Sequence, residues 1–351
     1  MTIKFSLDSG AHSLYNIKFA GKDEDGNTIK GTHARMNTTY DFYKTPAFKA
    51  YLEKYVQYLH ERKNRLEFYV SLDIIFNPKA SWEVQQYLES CGLKPIPVFH
   101  YGEDIKWFKK YVDRYDYVGI GGLGQDITKQ KFIRFCDPLF EMISNKNGTP
   151  CIKTHGFAMT SIHLVKRYPW FSVDSATHHK ASFNGHLLIP KPVIKGREIL
   201  GFDYLGPNCI VPVTERRKYQ KGKPVLRHIS RATGVVYDAY TKYVFDHGMN
   251  IEDMDIVDNR VVMNAIYYQH VQQALKVRMG ETFDYEEGGN IYFAGSLVHS
   301  TATQERLDYF NKHTKKLGNV RFLGSFYYKS ILEKTMKYAN KKKRVKLRSP
   351  K

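Results

Sequence analysis

The 351-residue sequence predicts an α/β fold of the TIM (β/α)8-barrel type, with a long insertion after the sixth strand and a basic C-terminal tail. Three observations carry the expectation. Eight short runs rich in Val, Ile, Phe and Tyr recur along the chain, each ending in polar or small residues. Helical patterns fall between several of them. Strands alternating with helices in that number are the pattern of a parallel barrel; an open doubly wound sheet is the alternative, and the count of eight favours the barrel.

The strand runs are 3–8, 67–73, 95–100, 115–121, 151–155, 170–174, 290–295 and 319–324. The first helix, 47–62, carries Phe48, Tyr51, Leu52, Tyr55, Val56 and Leu59 close to a 3.6-residue period. The next spans 81–91, with Ser81 as N-cap and Gly92 past its end. Further helices are expected at 104–115, 128–144, 161–167, 303–317 and 329–340. Residues 1–340 read as one catalytic barrel domain. Within it, 178–288 is a basic insertion with a long helix near 258–277, placed to serve as a nucleic-acid-binding subdomain. A loop at 20–43 is placed to act as a lid or a nucleic-acid contact, and 341–351 forms a basic tail.

Composition narrows the class. A hydrophobic content of 42% fits a globular chain rather than a disordered one. No run of apolar residues reaches membrane-spanning length, and the start of the chain lacks the pattern of a signal peptide. Cys91, Cys136, Cys151 and Cys209 lie far apart, which excludes a zinc knuckle or ribbon and a secreted disulfide scaffold. Free thiols and a cytoplasmic location are expected, with no metal site. The net charge of +19 attracts polyanions. The basic residues Arg216, Arg217 and Lys218 in the insertion and Lys341, Lys342, Lys343 and Arg344 in the tail are the candidate nucleic-acid contacts.

Asp8, Asp73 and Asp174 each close an apolar strand run. An aspartate at a strand end is also a common cap, so each has a structural reading beside the chemical one. Carboxylates brought close raise one another's pKa, which suits a general acid, and chemistry at a sugar C1′ commonly uses two of them. After the fourth strand run comes Gly121-Gly122-Leu123; its glycines serve either a tight turn or the close approach of a flat ligand. His155-Gly156 ends the fifth, where His155 serves either to orient a base or carry a proton, or as a satisfied structural histidine. His178 and His179 are adjacent; on a strand they would face opposite ways, against a shared metal.

At these residues the sequence resembles the tRNA-guanine transglycosylase superfamily, most of all its phage and bacterial DNA 7-deazaguanine transglycosylases. Asp8-Ser9-Gly10-Ala11 is similar to the family's Asp-Ser-Gly-Gly motif, and Val173-Asp174 to its nucleophile strand. The resemblance implies Asp174 as nucleophile and Asp8 as general acid/base. It implies a base pocket of Asp73, Ser9, His100, Gly121, Gly122, Leu123, His155 and Gly156. His100 stands where the family has a glutamine, and only Cys209 remains where the tRNA enzymes carry a cysteine-rich zinc site. That departure turns the expected partner toward DNA, with tRNA as the alternative. The expected incoming base is a free 7-deazaguanine such as preQ0, with no cofactor, and some DNA-modifying relatives act with helper proteins. Readings of another class are a metal-dependent barrel hydrolase using Asp8, His100, His155 and Asp174, and a non-catalytic nucleic-acid-binding protein.

Overall fold

The computed structural model describes residues 3–11, 46–75, 77–122, 127–221, 223–294 and 320–326. The expected loop at 20–43, the helices at 303–317 and 329–340, Leu123 and the tail with Lys341, Lys342, Lys343 and Arg344 lie outside them.

In chain order, β1 (Ile3–Asp8) is followed by α1 (Pro46–Arg62), β2 (Leu66–Tyr69) and α2 (Pro78–Ser90). Then come β3 (Val98–His100), α3 (Ile105–Val112), β4 (Tyr117–Gly121) and α4 (Lys129–Ile143). β5 (Lys153–Gly156), α5 (Ile162–Arg167), β6 (Ser172–Ser175) and α6 (Thr177–Phe183) continue the alternation. The next stretch holds β7 (His186–Ile189), β8 (Lys191–Lys195), β9 (Glu198–Asp203), β10 (Cys209–Pro212), β11 (Tyr219–Gln220), β12 (Lys223–Pro224), α7 (Gly234–Phe245) and α8 (Val257–Phe283). Last are β13 (Asn290–Ala294) and β14 (Val320–Ser325).

The large sheet has eight strands in the order β2-β1-β14-β13-β6-β5-β4-β3, with parallel ladders at β1–β2, β3–β4, β5–β6, β6–β13 and β13–β14. This is the cyclic order of a (β/α)8 barrel opened between β2 and β3, so the fold is α/β and TIM-barrel-like, and the expected closed barrel is corrected to an unclosed one. The reason is local. Val70 and Ile96 form a single parallel bridge. Beyond it the Asp73 N–H donates to the Ser71 carbonyl at 3.0 Å, a tight turn that takes the acceptor a longer ladder would need.

Helix starts follow their side-chain caps. Asp104 accepts from Lys106 N at 3.0 Å and Thr128 from Lys131 N at 3.3 Å, as expected for an N-cap oxygen meeting a free helical N–H. The second helix departs from expectation. Asn77 is its cap, accepting from Ala80 N at 3.1 Å, with Pro78 opening the helix. Ser81 is buried inside the first turn, and its hydroxyl accepts from Ile74 N at 2.8 Å. Asn-Pro supplies both a cap and a preset φ, which a serine four residues later cannot match.

The chain forms two compact units, Phe5–Gly122 with Gly324–Lys351, and Met1–Lys4 with Leu123–Leu323. In the first, Phe48, Tyr51, Leu52, Tyr55 and Leu59 of α1 are buried with Leu7, Tyr69, Leu72 and Leu88 in one core. The apolar stripe read from the sequence is this face. In the second, α8 packs on α6, β7 and β13. The fully buried Asn264 stitches them: it accepts from Leu188 N at 2.7 Å and donates toward Ser182 Oγ at 2.8 Å and the His186 carbonyl at 3.1 Å. Small antiparallel pairs β7–β10, β8–β9 and β11–β12 fill the rest of this stretch. His178 and His179 lie on α6, not on a strand; His178 is buried against Phe293, and burial pushes its imidazole down to about 3. No helix among the described residues is long and apolar enough to cross a membrane.

Candidate active site: two buried carboxylate clusters

The Asp174 cluster belongs to the second unit. Ser172 and Asp174 are two apart on β6, so they share one face of the strand. His155 on β5 pairs in register with Ser172, which brings its ring to that face. Asp174 is 6% exposed, and His155 and Ser172 are fully buried. His155 Nε2 lies 3.3 Å from Asp174 Oδ1, and its Nδ1 lies 2.6 Å from Ser172 Oγ. A carboxylate only accepts, so Nε2 carries the proton and the Ser172 hydroxyl donates to Nδ1. The loop after β5 adds two further donors. Ala158 N donates to Asp174 Oδ1 at 3.0 Å, and Met159 N donates to the Asp174 carbonyl at 2.8 Å. Ala158 takes the left-handed φ of +54° to present this pair of amides, a strained conformation for a residue with a β-carbon.

Two consequences follow for Asp174. Among the described residues, both hydrogen bonds to its carboxylate fall on Oδ1, which holds the group while Oδ2 is the oxygen left for chemistry. His155, with both ring nitrogens engaged, is placed to orient Asp174. Replacing it should therefore act through Asp174. We expect His155→Phe, which fills the space without a donor, to lower any activity that uses Asp174 by about 10–100-fold, the size seen when orienting partners are lost. His155→Gln, which restores an N–H, should recover most of it. Measuring kcat for both variants checks this, and equal losses in the two would refute the orienting role.

The Asp73 cluster belongs to the first unit. Asp73 follows the β2 bridge, and His100 ends β3. His100 Nε2 lies 3.2 Å from Asp73 Oδ2. The chain turns back after β3, so that the Glu103 carboxylate accepts from His100 N at 3.0 Å and sits 3.7 Å from its Nδ1. The three side chains are close enough for charge interaction, yet Asp73 Oδ2, His100 Nδ1 and Glu103 Oε1 lack aligned hydrogen-bond partners. Burial pushes the Asp73 carboxyl up from 3.8 to about 6, although His100 pulls it down. Burial lowers the His100 imidazole, but Asp73 and Glu103 more than reverse this and leave it above its ordinary value.

Both shifts have the same sign for stability. The folded protein binds these protons more tightly than the unfolded chain, so the contribution of Asp73 is full below about pH 4 and is lost as pH rises through about 6, while that of His100 is full below its ordinary value and is lost only above it. Two pKa units correspond to about 3 kcal/mol. Asp73→Asn, which cannot ionise, should thus match the parent protein near pH 4 and be more stable above pH 6. Urea unfolding from pH 4 to 8 tests this; a constant difference across that range would contradict it.

Asp8 and Ser9 lie in the same unit. Asp8 Oδ2 accepts from Ser325 Oγ at 3.4 Å, and its carbonyl accepts from Phe326 N at 2.8 Å. After burial itself, the charges of Asp8 and Asp73 both push the Tyr55 phenol up, and its hydroxyl donates to the Val70 carbonyl at 2.6 Å. Ser9 is buried, and its hydroxyl accepts from Ala11 N at 3.4 Å.

The glycines make room for protein groups. A β-carbon on Gly121 would stand 3.0 Å from His100 Cδ2, and one on Gly122, whose φ is +117°, would stand 2.9 Å from Tyr101 N. Gly156 likewise makes room for Met159 and Trp170. Sequence reasoning missed Ser172, Glu103 and Ala158. Ser172 was findable, because it sits two residues before Asp174 on one strand.

Arg216 and Arg217 lie in a short 3-10 turn of the second unit, followed by Lys218. Lys218 pairs with Glu215 at 2.6 Å. Among the described residues, no three His, Cys, Asp or Glu side chains converge as a metal-ligand set.

No protein-family model, curated protein or solved structure matches the chain. Fold and clusters together define an α/β protein of TIM-barrel-like topology with two clusters built around the buried carboxylates Asp73 and Asp174.

Proposed function

We propose that the protein is a base-exchanging transglycosylase, replacing guanine in DNA by a 7-deazaguanine through a covalent aspartyl-nucleotide. The observation that carries the reading is the Asp174 carboxylate. It is buried on β6, held at Oδ1 by Ala158 N–H and His155, and left with Oδ2 for attack. A side chain held this firmly meets the positional demand of a nucleophile.

The target guanosine leaves its stack, at a cost of a few kcal/mol in a duplex. Asp174 Oδ2 attacks C1′, the C1′–O bond forms and the bond from C1′ to guanine breaks. By the resemblance, Asp8 gives a proton to the departing base and later takes one from the incoming base. A 7-deazaguanine such as preQ0 then attacks C1′ and releases Asp174. Two displacements retain configuration and need neither ATP nor a redox cofactor. By the same resemblance, Asp73 reads the base edge, with Ser9 and His100 of its own unit. The chain's net charge of +19 supports a polyanionic partner.

The test is exchange of labelled guanine by the purified protein into DNA and, separately, into tRNA. Label entering DNA is the expected outcome. Label entering tRNA alone would move the substrate to tRNA, and label in neither would refute the exchange reading.

A further inference from the structure

Beside β7 and β10 of the second unit opens a cavity of about 430 Å³, lined by Asn184, His186, Arg216, Arg217, Tyr219 and Gln220 among others. Its volume falls in the range of small-ligand pockets and would take a nucleotide unit.

The two arginines are fixed by neutral groups. Arg216 donates to the Phe183 carbonyl, and Arg217 donates to the Asn184 carbonyl at 2.7 Å and to Asn184 Oδ1 at 3.2 Å. The one acidic side chain of this turn, Glu215, is paired with Lys218. A guanidinium has five N–H donors, so these anchors leave several per arginine for a ligand, already held in place. Positive charge gathers here: after burial itself, Arg217 and Arg260 push the His186 imidazole below its ordinary value, and the Asp255 carboxylate, which accepts from Glu215 N at 3.3 Å, offsets part of the charge of Arg260. An anion with several acceptor oxygens fits this arrangement, and the arginine fork matches phosphate in particular. At the same cavity stands Tyr219, 61% exposed on β11. An exposed ring beside fixed phosphate donors is the pairing used to hold unpaired strands, in which every base offers a face for stacking.

We propose that this cavity binds one phosphodiester of an unpaired nucleic-acid strand, with Arg216 and Arg217 on the phosphate and Tyr219 stacked on the neighbouring base. The proposal rests on the nucleic-acid substrate of the preceding reading and adds a strand-holding site to it.

Fluorescence anisotropy of a labelled single-stranded oligodeoxynucleotide against the full chain, over a series of salt concentrations, tests it. Arg216→Gln should weaken binding about tenfold and reduce the slope of log affinity against log salt by about 0.7, the share of one phosphate on a single strand. Tyr219→Ala should weaken single-strand binding by about 5–100-fold with little change in slope, and affect a duplex of the same sequence less. Thermal midpoints of both variants confirm folding. Folded variants that bind with parental affinity and slope would overturn the proposal. So would complete displacement of the oligonucleotide by inorganic phosphate at equal phosphate concentration, which would make the cavity a free-anion site. Binding requires no chemistry, so the two readings fail separately. Pocket-dependent binding without base exchange would refute only the transglycosylase. Exchange with binding untouched in both variants would refute only the pocket.

Discussion

Asp174→Asn is expected to lower base exchange by about 10⁴-fold or more, the scale on which enzymes lose rate when a covalent nucleophile is removed. The fold should survive. An asparagine can turn its own Oδ1 toward Ala158 N and His155 Nε2, so the two hydrogen bonds that position the group persist. Its amide cannot form the ester to C1′. The variant removes one bond-making step and little else. Rates of labelled-guanine exchange, with an unfolding curve to certify the fold, measure the effect. A folded variant that exchanges within tenfold of the parent would show that the carboxylate acts through its charge or not at all.

Gly10→Ala should be the most damaging of the small substitutions to the fold. Gly10 has a φ of +79°, in the left-handed region. A β-carbon there would fall inside contact distance of the Phe326 carbonyl oxygen and 2.7 Å from Tyr51 Oη. Neither neighbour can easily yield. The Phe326 backbone bonds Asp8 at 2.8 Å, its ring packs on Tyr51, Tyr55 and Tyr58, and Tyr51 Oη bonds the Phe326 carbonyl at 2.9 Å. The left-handed backbone costs about 1–2 kcal/mol and overpacking about 1–3 kcal/mol more, so about 2–5 kcal/mol is expected. Gly92→Ala is the control, because Gly92 has a φ of +73° and open space around it. It should lose only the backbone part. Urea unfolding of both variants separates the two costs. Equal losses would mean that the Asp8-Ser9-Gly10-Ala11 turn is not packed against Phe326.

The sequence made the alternation of strands and helices legible because strands such as β2 (LEFY), β4 (YVGIG) and β13 (NIYFA) are apolar enough to stand out between polar turns. The long helix near 258–277 is present and extends over Val257–Phe283. The opening between β2 and β3 was not legible, because it depends on which donor the Ser71 carbonyl accepts, and no residue type at 71–73 announces that. The three aspartates were found by their place after apolar runs, but they differ in setting. Asp8 ends its strand, Asp174 lies within β6, and Asp73 stands four residues past the end of β2. The glycines after β4 read equally as turn or ligand contact, and the space they open is taken by His100 and Tyr101. Glu103 joined the Asp73 cluster only through a turn that returns it to His100. Ala158 gave no sign, since nothing in an alanine betrays a positive φ. His178 was misplaced because a run after a strand end was read as more strand, whereas Ser175 Oγ accepts from Thr177 N at 2.9 Å at the start of a helix.

The central claim, Asp174-dependent exchange of a base in nucleic acid, is tested most directly by nucleoside mass spectrometry. DNA and tRNA would be digested from cells supplied with preQ0 and expressing either the protein or its Asp174→Asn variant. A 7-deazaguanine nucleoside in DNA, absent with the variant, is the predicted result. Unmodified DNA and tRNA with the parent protein, or the same modified nucleoside with the variant, would contradict it.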